Sequence, residues 1–344
     1  MRIAEIAPPW IPVPPKGYGG IELVVDLLAQ GFEAHGHDVT LFAPEGSRSA
    51  AEVVSPLPAA GSDSIGDRWH EAYHSVSAYQ HADDFELIHD HTFLGPALAQ
   101  MREGGPITVH TLHGPWDDES RAYYGLLDDR VHFVAISETQ RRANQDVRYA
   151  ATIPNGIDVG RYPLHEGERD DFLVYIGRAN AEKAPEVAVE AAHRAGLPLK
   201  LVVKHAEPDE QRYWEKEVLP RLSDEDEALD EIGHDKKVEL LQRGRAFIFP
   251  IRWEEPFGLV MVEALACGMP VVATPCGAAR EIVADGLTGF LRPELDDLVT
   301  CIERAGTISP LACRARVEEH FSAETMVDRY LHLFHALLGD RTDV

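Results

Sequence analysis

Two doubly wound α/β domains in tandem are the architecture this sequence predicts, and three observations carry the prediction. Apolar runs of strand length alternate with segments of helical period along the chain, the pattern of βα units with parallel sheets. The pattern pauses in the turn-rich stretch "IPNGIDVGRYP" (153–163) and restarts at "FLVYIGR" (172–178). At 344 residues the chain is also longer than one hydrophobic core usually serves.

Taken in order, the first half offers strands at 1–7, 38–43, 85–90, 106–111 and 131–136. The Asn-Gly pair and two prolines of 153–163 mark a connection. We place a first domain at 1–160 and a second at 161–322, with a helix over 323–344 that opens on a Ser cap. The second domain continues with strands at 172–178, 199–203, 246–251 and 270–274. In open parallel sheets of this kind, ligands bind beyond the carboxyl ends of the strands.

Composition excludes several classes of function. A hydrophobic share of 44% is that of an ordinary globular protein, and the formal net charge of −26 opposes binding to nucleic acid or to anionic bilayers. Lys16 is the only lysine before Lys183. There is no run of eighteen apolar residues, and "MRIAEIAPPW" reads as a first strand and not as a signal peptide. The four cysteines (Cys267, Cys276, Cys301, Cys313) lack metal or disulfide spacing and suit a reducing cytoplasm.

The chemistry concentrates at "EPFGLVMVE", which sets Glu255 and Glu263 at the two ends of an apolar stretch. "AFIFPIRW" reads as a buried strand and "EEPFG" as the turn from its carboxyl end. A helix then runs from about Gly258 to Ala266 and stops at Gly268, with Pro270 beyond. The N–H groups of Gly258, Leu259 and Val260 project from its start, where the dipole favours anions and electron-rich oxygens. Gly258 lets a ligand approach the backbone. Carboxylates accept charge-assisted hydrogen bonds from vicinal diols, so a sugar is a natural guest. The plainer alternative is a helix whose acids are solvated.

Arg178 and Lys183 flank the start of another helix at another strand end, a setting that suits a diphosphate. Taken alone they read equally well as surface cations near a turn. "KGYGGIE" (16–22) opens a helix with Gly19 and Gly20, whose amides could close over phosphate or sugar.

Together these blocks resemble retaining glycosyltransferases of family 4, which have the GT-B fold: two Rossmann-like domains facing a central cleft. Glu255 to Glu263 matches the family's E-x7-E motif. "EEPFGLVMVEALACGMPVVAT" and "GAAREIVADGLTGFL" are the specific blocks, supported by "GYGGIE", "GHDVTLFA", "HTLHGP", "VAISETQRR", "IPNGID" and "YIGRANAEKAPEVAVEAA". A slighter similarity, carried by no single motif, points to antibiotic-pathway members that decorate avilamycin-type oligosaccharides. The resemblance implies a nucleotide-diphosphate sugar, most often UDP-linked, as donor, with no metal or other cofactor. The first domain would bind acceptor, the second donor, and the last helix would pack back on the first. Glu255 would contact donor-sugar hydroxyls, Glu263 the ribose, and Arg178 and Lys183 the diphosphate. Phe257, Gly258, Leu259 and Val260 would offer main-chain contacts, and Gly19 and Gly20 would join them from the opposite wall. His113 would sit at the reacting sugar near its C6 hydroxyl, completing a catalytic set with Glu255, Arg178 and Lys183. Many members have Gly where this chain has Ala184, a change expected to be harmless.

For the acceptor we expect a soluble molecule, a small molecule or oligosaccharide such as a secondary-metabolite intermediate, held near Tyr18, His91 and Trp116. The segment from Ser49 to Phe85 carries Arg68 as its only basic Lys or Arg, too little charge to draw the chain to an anionic leaflet.

Two further patterns invite a metal and read otherwise, His89 and His91 as acceptor floor or as strand-end hydrogen bonds. His89, His91, His110 and His113 lie at two strand ends; His89 and His91 share a face, while His110 and His113 point opposite ways, which disfavours one shared metal. "DED" (224–226) lies in an acidic, helix-like run and reads as a solvated face. Three other functions compete. A nicotinamide dehydrogenase needs a full glycine fingerprint, missing here. A GT-B epimerase or phosphorylase would share the site, and a sugar-binding module would bind without turnover.

Overall fold

The structure, a computed structural model, describes residues 1–17, 19–59, 65–127 and 130–339. The chain divides into two compact units, one of Met1–Gly156 with the segment from Ala323, the other of Ile157–Ser322.

The first unit is built on seven parallel strands: β1 (Arg2–Ile6), β2 (Asp38–Phe42), β3 (Glu52–Val54), β4 (Leu87–Asp90), β5 (Ile107–Leu112), β6 (Val131–Ala135) and β7 (Tyr149–Thr152). Their order is β3-β2-β1-β4-β5-β6-β7. Strand order therefore reverses between β1 and β4, where Glu5 pairs with His89 in register. β4 and β5 are buried along their whole length although half their residues are polar, so His89, Asp90, His110 and Thr111 must find partners inside the fold.

Helix Ala323–Gly339 completes this unit. It buries Met326, Val327, Tyr330, Leu331 and Phe334, and packs on helix Gly20–Ala34. A side chain at Gly31 would collide with Val327, so only glycine lets the two helices approach this closely. Phe334 lies 5.3 Å from Phe32 between ring centroids, and burying such a ring contributes about 2 kcal/mol.

The second unit has six parallel strands: β8 (Asp170–Arg178), β9 (Leu199–Lys204), β10 (Glu227–Leu229), β11 (Gly244–Phe249), β12 (Val271–Ala273) and β13 (Gly289–Leu291). The order β10-β9-β8-β11-β12-β13 reverses between β8 and β11. Arg178 at the end of β8, Lys183 in the loop after it and Glu255 in the loop after β11 thus lie on the two sides of the switch point, where ligands of such sheets bind.

Two expectations need correction. The run containing "DED" is not a helix, since β10 begins at Glu227, and Asp226 is not a solvated acid. Its enclosed side chain accepts from the main-chain N–H of Leu199 at 2.8 Å and of Ser223 at 2.8 Å, and meets His193 at 2.7 Å. It ties the β10 turn to β9 because its carboxylate satisfies loop amides that have no sheet partner. Ala184, expected to be a harmless replacement for glycine, adopts a left-handed conformation at φ 49° and is fully buried. An L-residue there costs about 1 kcal/mol relative to glycine.

Candidate functional site

In the second unit Lys183 and Glu255, both singled out from the sequence, meet directly, while Arg178 and Glu263 each have partners of their own. β11 ends at Phe249, and the loop that follows delivers Trp253, Glu255 and Phe257 to the start of helix Leu259–Ala266. Gly258 caps that helix at φ 93°, a left-handed turn in which a side chain would press on Met261. Helix geometry leaves the N–H groups of Gly258, Leu259 and Val260 without intrahelical acceptors. Phe257 is buried against Phe321, 5.9 Å away between ring centroids, so its side chain anchors the turn and its main chain lies at the helix start.

Glu255 is buried and not idle. Its Oε2 accepts from Lys183 Nζ and from Trp253 Nε1, the latter at 2.9 Å. Lys183 Nζ also lies 4.7 Å from the Trp253 ring centroid, a cation–π contact that holds the ammonium at the loop. The turn is braced from behind: Ala278 N–H donates to Glu255 O at 2.9 Å, and Gly277 N–H donates to Glu254 Oε2 at 2.7 Å. Gly277 lies so close to the Glu255 main chain that any Cβ would collide with it.

Arg178 ends β8, 3.8 Å from Glu210 and 4.0 Å from Glu182, with about a third of its side chain exposed (31%). Glu263 is buried four residues into its helix, where its Oε1 accepts from Tyr162 OH at 2.7 Å and from Lys237 Nζ at 2.6 Å. Burial and the neighbouring Glu263 carboxylate both raise the Tyr162 phenol, which stays protonated as a donor. Lys237, Tyr162, Trp253 and Glu210 were not found from the sequence. Lys237, Tyr162 and Glu210 are scattered over other elements and only their partners carry a motif, whereas Trp253 stands two residues before Glu255 with no pattern to single it out.

In the first unit Gly19 caps helix Gly20–Ala34 at φ 148°, its α-hydrogen facing Pro15 and the Glu22 carboxylate. Burial pushes the Glu22 carboxyl up to about 7. Tyr18 lies outside the described residues. Gly20, Glu22, Trp10, Ile21, Arg68 and Phe93 border a largely apolar pocket of about 640 Å³. A smaller one of about 220 Å³ is lined by His91, His113, Trp116 and Tyr124. Trp116 is fixed there by its Nε1–H, which donates to Gln140 O at 3.0 Å.

The four histidines separate as strand alternation requires. His110 turns to Asp90, 3.9 Å away, and to Tyr124. His89 and His91 turn together to Glu5, a residue the sequence reading passed over: His89 Nδ1 lies 3.0 Å from Oε2 and His91 Nε2 2.7 Å from Oε1. The ligand atoms of Glu5, His89 and His91 fall within 4.8 Å of one another. His91 needs a correction as an acceptor contact. Its side chain is wholly enclosed, and its second nitrogen meets His113 Nε2 at 2.8 Å, so it has no free atom to offer. Its part is to hold His113, which is half-buried at the pocket.

Comparison with known proteins speaks to family and fold. The model described as "Glycosyltransferase Family 4" matches residues 18–161, and the one described as "Glycosyl transferases group 1" matches 161–306. The chain is 28% identical over 327 residues to a phosphatidyl-myo-inositol mannosyltransferase of Mycolicibacterium smegmatis, covering 86% of this chain and 82% of that protein. Its fold is similar to that of AviGT4, a glycosyltransferase involved in avilamycin A biosynthesis (TM-score 0.76, 24% identity, 99% of this chain and 98% of that one). It is similar also to Anabaena HepE in complex with UDP-glucose (TM-score 0.74, 20% identity, 98% of this chain and 100% of that one). The two models meet at the boundary between the units and together account for residues 18–306, and the chain is a glycosyltransferase of the GT-B type, group 1 and family 4-like.

Proposed function

We propose that this enzyme moves a glycosyl group from a UDP-sugar to a hydroxyl of its acceptor, with retention at the anomeric carbon and without a metal ion. One observation carries the donor assignment: Lys183, Glu255 and Arg178 leave the two sides of the β8/β11 switch point beside the amide-rich start of helix Leu259–Ala266. Cations and helix-start amides suit the diphosphate, and Glu255 and Glu263 suit sugar and ribose hydroxyls. HepE, a structural neighbour, binds UDP-glucose, which supports the same donor class here.

In the reaction the bond from the anomeric carbon to the diphosphate oxygen breaks, and a bond to the acceptor oxygen forms on the same face. The acceptor proton passes to the departing diphosphate. Arg178 and Lys183 stabilise the charge growing on that group, the part a metal plays elsewhere. His113 accepts a hydrogen bond from a hydroxyl of the sugar.

The acceptor is a soluble molecule in our first reading, because the segment around Arg68 offers little positive charge to an anionic leaflet. A lipid-bearing acceptor is the second. It is favoured by the apolar pocket and by Trp69, Tyr73 and Val76, which stand exposed on one face of helix Arg68–Tyr79. The named activity of the mycobacterial relative points the same way.

A thermal-shift screen of nucleotide sugars tests the donor class, because a selective ligand stabilises the fold in proportion to its occupancy. Stabilisation by UDP and one UDP-sugar supports the reading, and indifference to all nucleotides sinks it. Turnover that survives EDTA supports metal independence. Sedimentation with neutral and anionic vesicles at low salt separates the two acceptor readings, and pelleting favours the lipid.

A further inference from the structure

Six polar groups run in a line through the first unit: Tyr330, Thr111, His89, Glu5, His91 and His113. Tyr330 OH lies 2.8 Å from Thr111 Oγ1, which lies 2.9 Å from His89 Nε2. His89 Nδ1 and His91 Nε2 take the two oxygens of Glu5, and His91 Nδ1 meets His113 Nε2 at 2.8 Å. The Glu5, His89 and His91 side chains have no exposed surface. The line lies at the β1/β4 switch point and on β5, and is closed at its far end by the C-terminal helix.

Burial pushes His89, His91 and His113 down to about 3, so each ring is neutral near pH 7 and carries one proton. A neutral imidazole that donates from one nitrogen must accept at the other. Burial raises the Glu5 carboxyl, with His91 opposing only in part. We take Glu5 as the carboxylate because an imidazole nitrogen faces each of its oxygens, at 3.0 and 2.7 Å, and in that form it can only accept. A single arrangement then makes every contact a donor–acceptor pair, with all the protons pointing towards Glu5. His89 donates from Nδ1 and accepts from Thr111, whose oxygen accepts from Tyr330. His91 donates from Nε2 and accepts at Nδ1 from His113.

We propose that Glu5 is a positioning residue: by accepting the Nε2 proton of His91 it holds His113 as the Nε2–H tautomer, leaving Nδ1 as a lone pair for a hydroxyl of the reacting sugar. The use made of that lone pair rests on the glycosyl-transfer reading, whereas the tautomer does not. Nδ1 makes no hydrogen bond among the described residues, and His113 lines the smaller pocket. The opposite tautomer would present an N–H there and could only donate.

The test is a long-range ¹H–¹⁵N correlation spectrum of the chain without nucleotide near pH 7, with His113 assigned by its loss in His113→Gln. The proposal expects His113 protonated at Nε2 alone, and a mixture of tautomers in Glu5→Leu, where the acceptor for His91 is gone. An Nδ1–H or cationic His113 in the native chain overturns it, as does a single unchanged tautomer in a folded Glu5→Leu. If Glu5→Leu does not fold, the native spectrum decides by itself. A proton resident on Glu5 Oε1, or a metal ion among Glu5, His89 and His91, would force His91 to donate from Nδ1 and so give the overturning spectrum. Because no nucleotide sugar is present, this result and the donor screen can fail independently.

Discussion

At the switch point of the second unit the cationic groups come from a strand end, a loop and a helix and keep some surface: Arg178, Lys183 and Lys237 are 31%, 13% and 24% exposed. At that of the first unit the polar groups sit on or just past the strands, and the Glu5, His89 and His91 side chains are enclosed. The same topology thus supplies two environments. Paired cations at a partly exposed rim suit an anionic guest that must be gripped and released. A dry network of mutually oriented imidazoles around one carboxylate suits fine discrimination of hydroxyls, since a low dielectric strengthens satisfied hydrogen bonds and penalises unsatisfied ones.

The sharpest way to break this comparison is His113→Ala. Turnover should fall about a hundredfold, the low end of what a positioned side chain contributes, while UDP affinity by calorimetry stays within about twofold, since UDP has no sugar to touch. Equal losses in both would make His113 structural. Gly277→Ala is the counterpart on the other unit. Displacing the Glu255 turn should weaken UDP binding by about 1–3 kcal/mol, the usual range for overpacking, with the His113 spectrum unmoved. Unchanged UDP affinity would mean the brace behind Glu255 does not matter.

Glu22 sharpens the contrast through pH. Its carboxyl is raised from 4.5 to about 7 by burial, so between those values the unfolded chain gives up a proton that the native chain keeps. Native stability therefore falls as pH rises across that window and levels off above it. Glu22→Gln should raise stability at pH 8 by on the order of 2 kcal/mol and leave it nearly unchanged at pH 4. Chemical denaturation at both pH values checks this, and equal shifts would refute it. The smallest effect belongs to Ala184→Gly, expected to add about 1 kcal/mol by relieving the left-handed conformation before helix Pro185–Arg194. A loss of stability would show that the Ala184 methyl contributes more by packing than its backbone costs.

What could be read from sequence follows the same division. The loop after β11 was legible because it is one contiguous string, with the strand, turn glycine, carboxylate and helix stop of 246–268 adjacent in the chain. Both sheets and the C-terminal helix were legible from periodicity. β3, β10 and β13 were not: each has three residues, and none is wholly buried as the equally short but all-apolar β12 is. β7 has four residues and little apolar character. Glu5 escaped notice because its partners are 84 and 86 positions away, and a single acid in a first strand has no pattern to betray it. Lys237, Tyr162 and Glu210 escaped for the same reason. Ala184 was misjudged because a dihedral angle is invisible in composition when the residue is not glycine.

Helix Ala323–Gly339 puts the order of synthesis in conflict with the order of assembly. The first unit's sheet leaves the ribosome early, but the helix that covers Phe32 and supplies Tyr330 to Thr111 is translated only after the entire second unit. In chain terms the second unit is an insertion within the first. A nascent chain that has reached Ser322 holds one unit whole and the other still open along the surface where its polar line ends. The half of the enzyme made first is the half finished last.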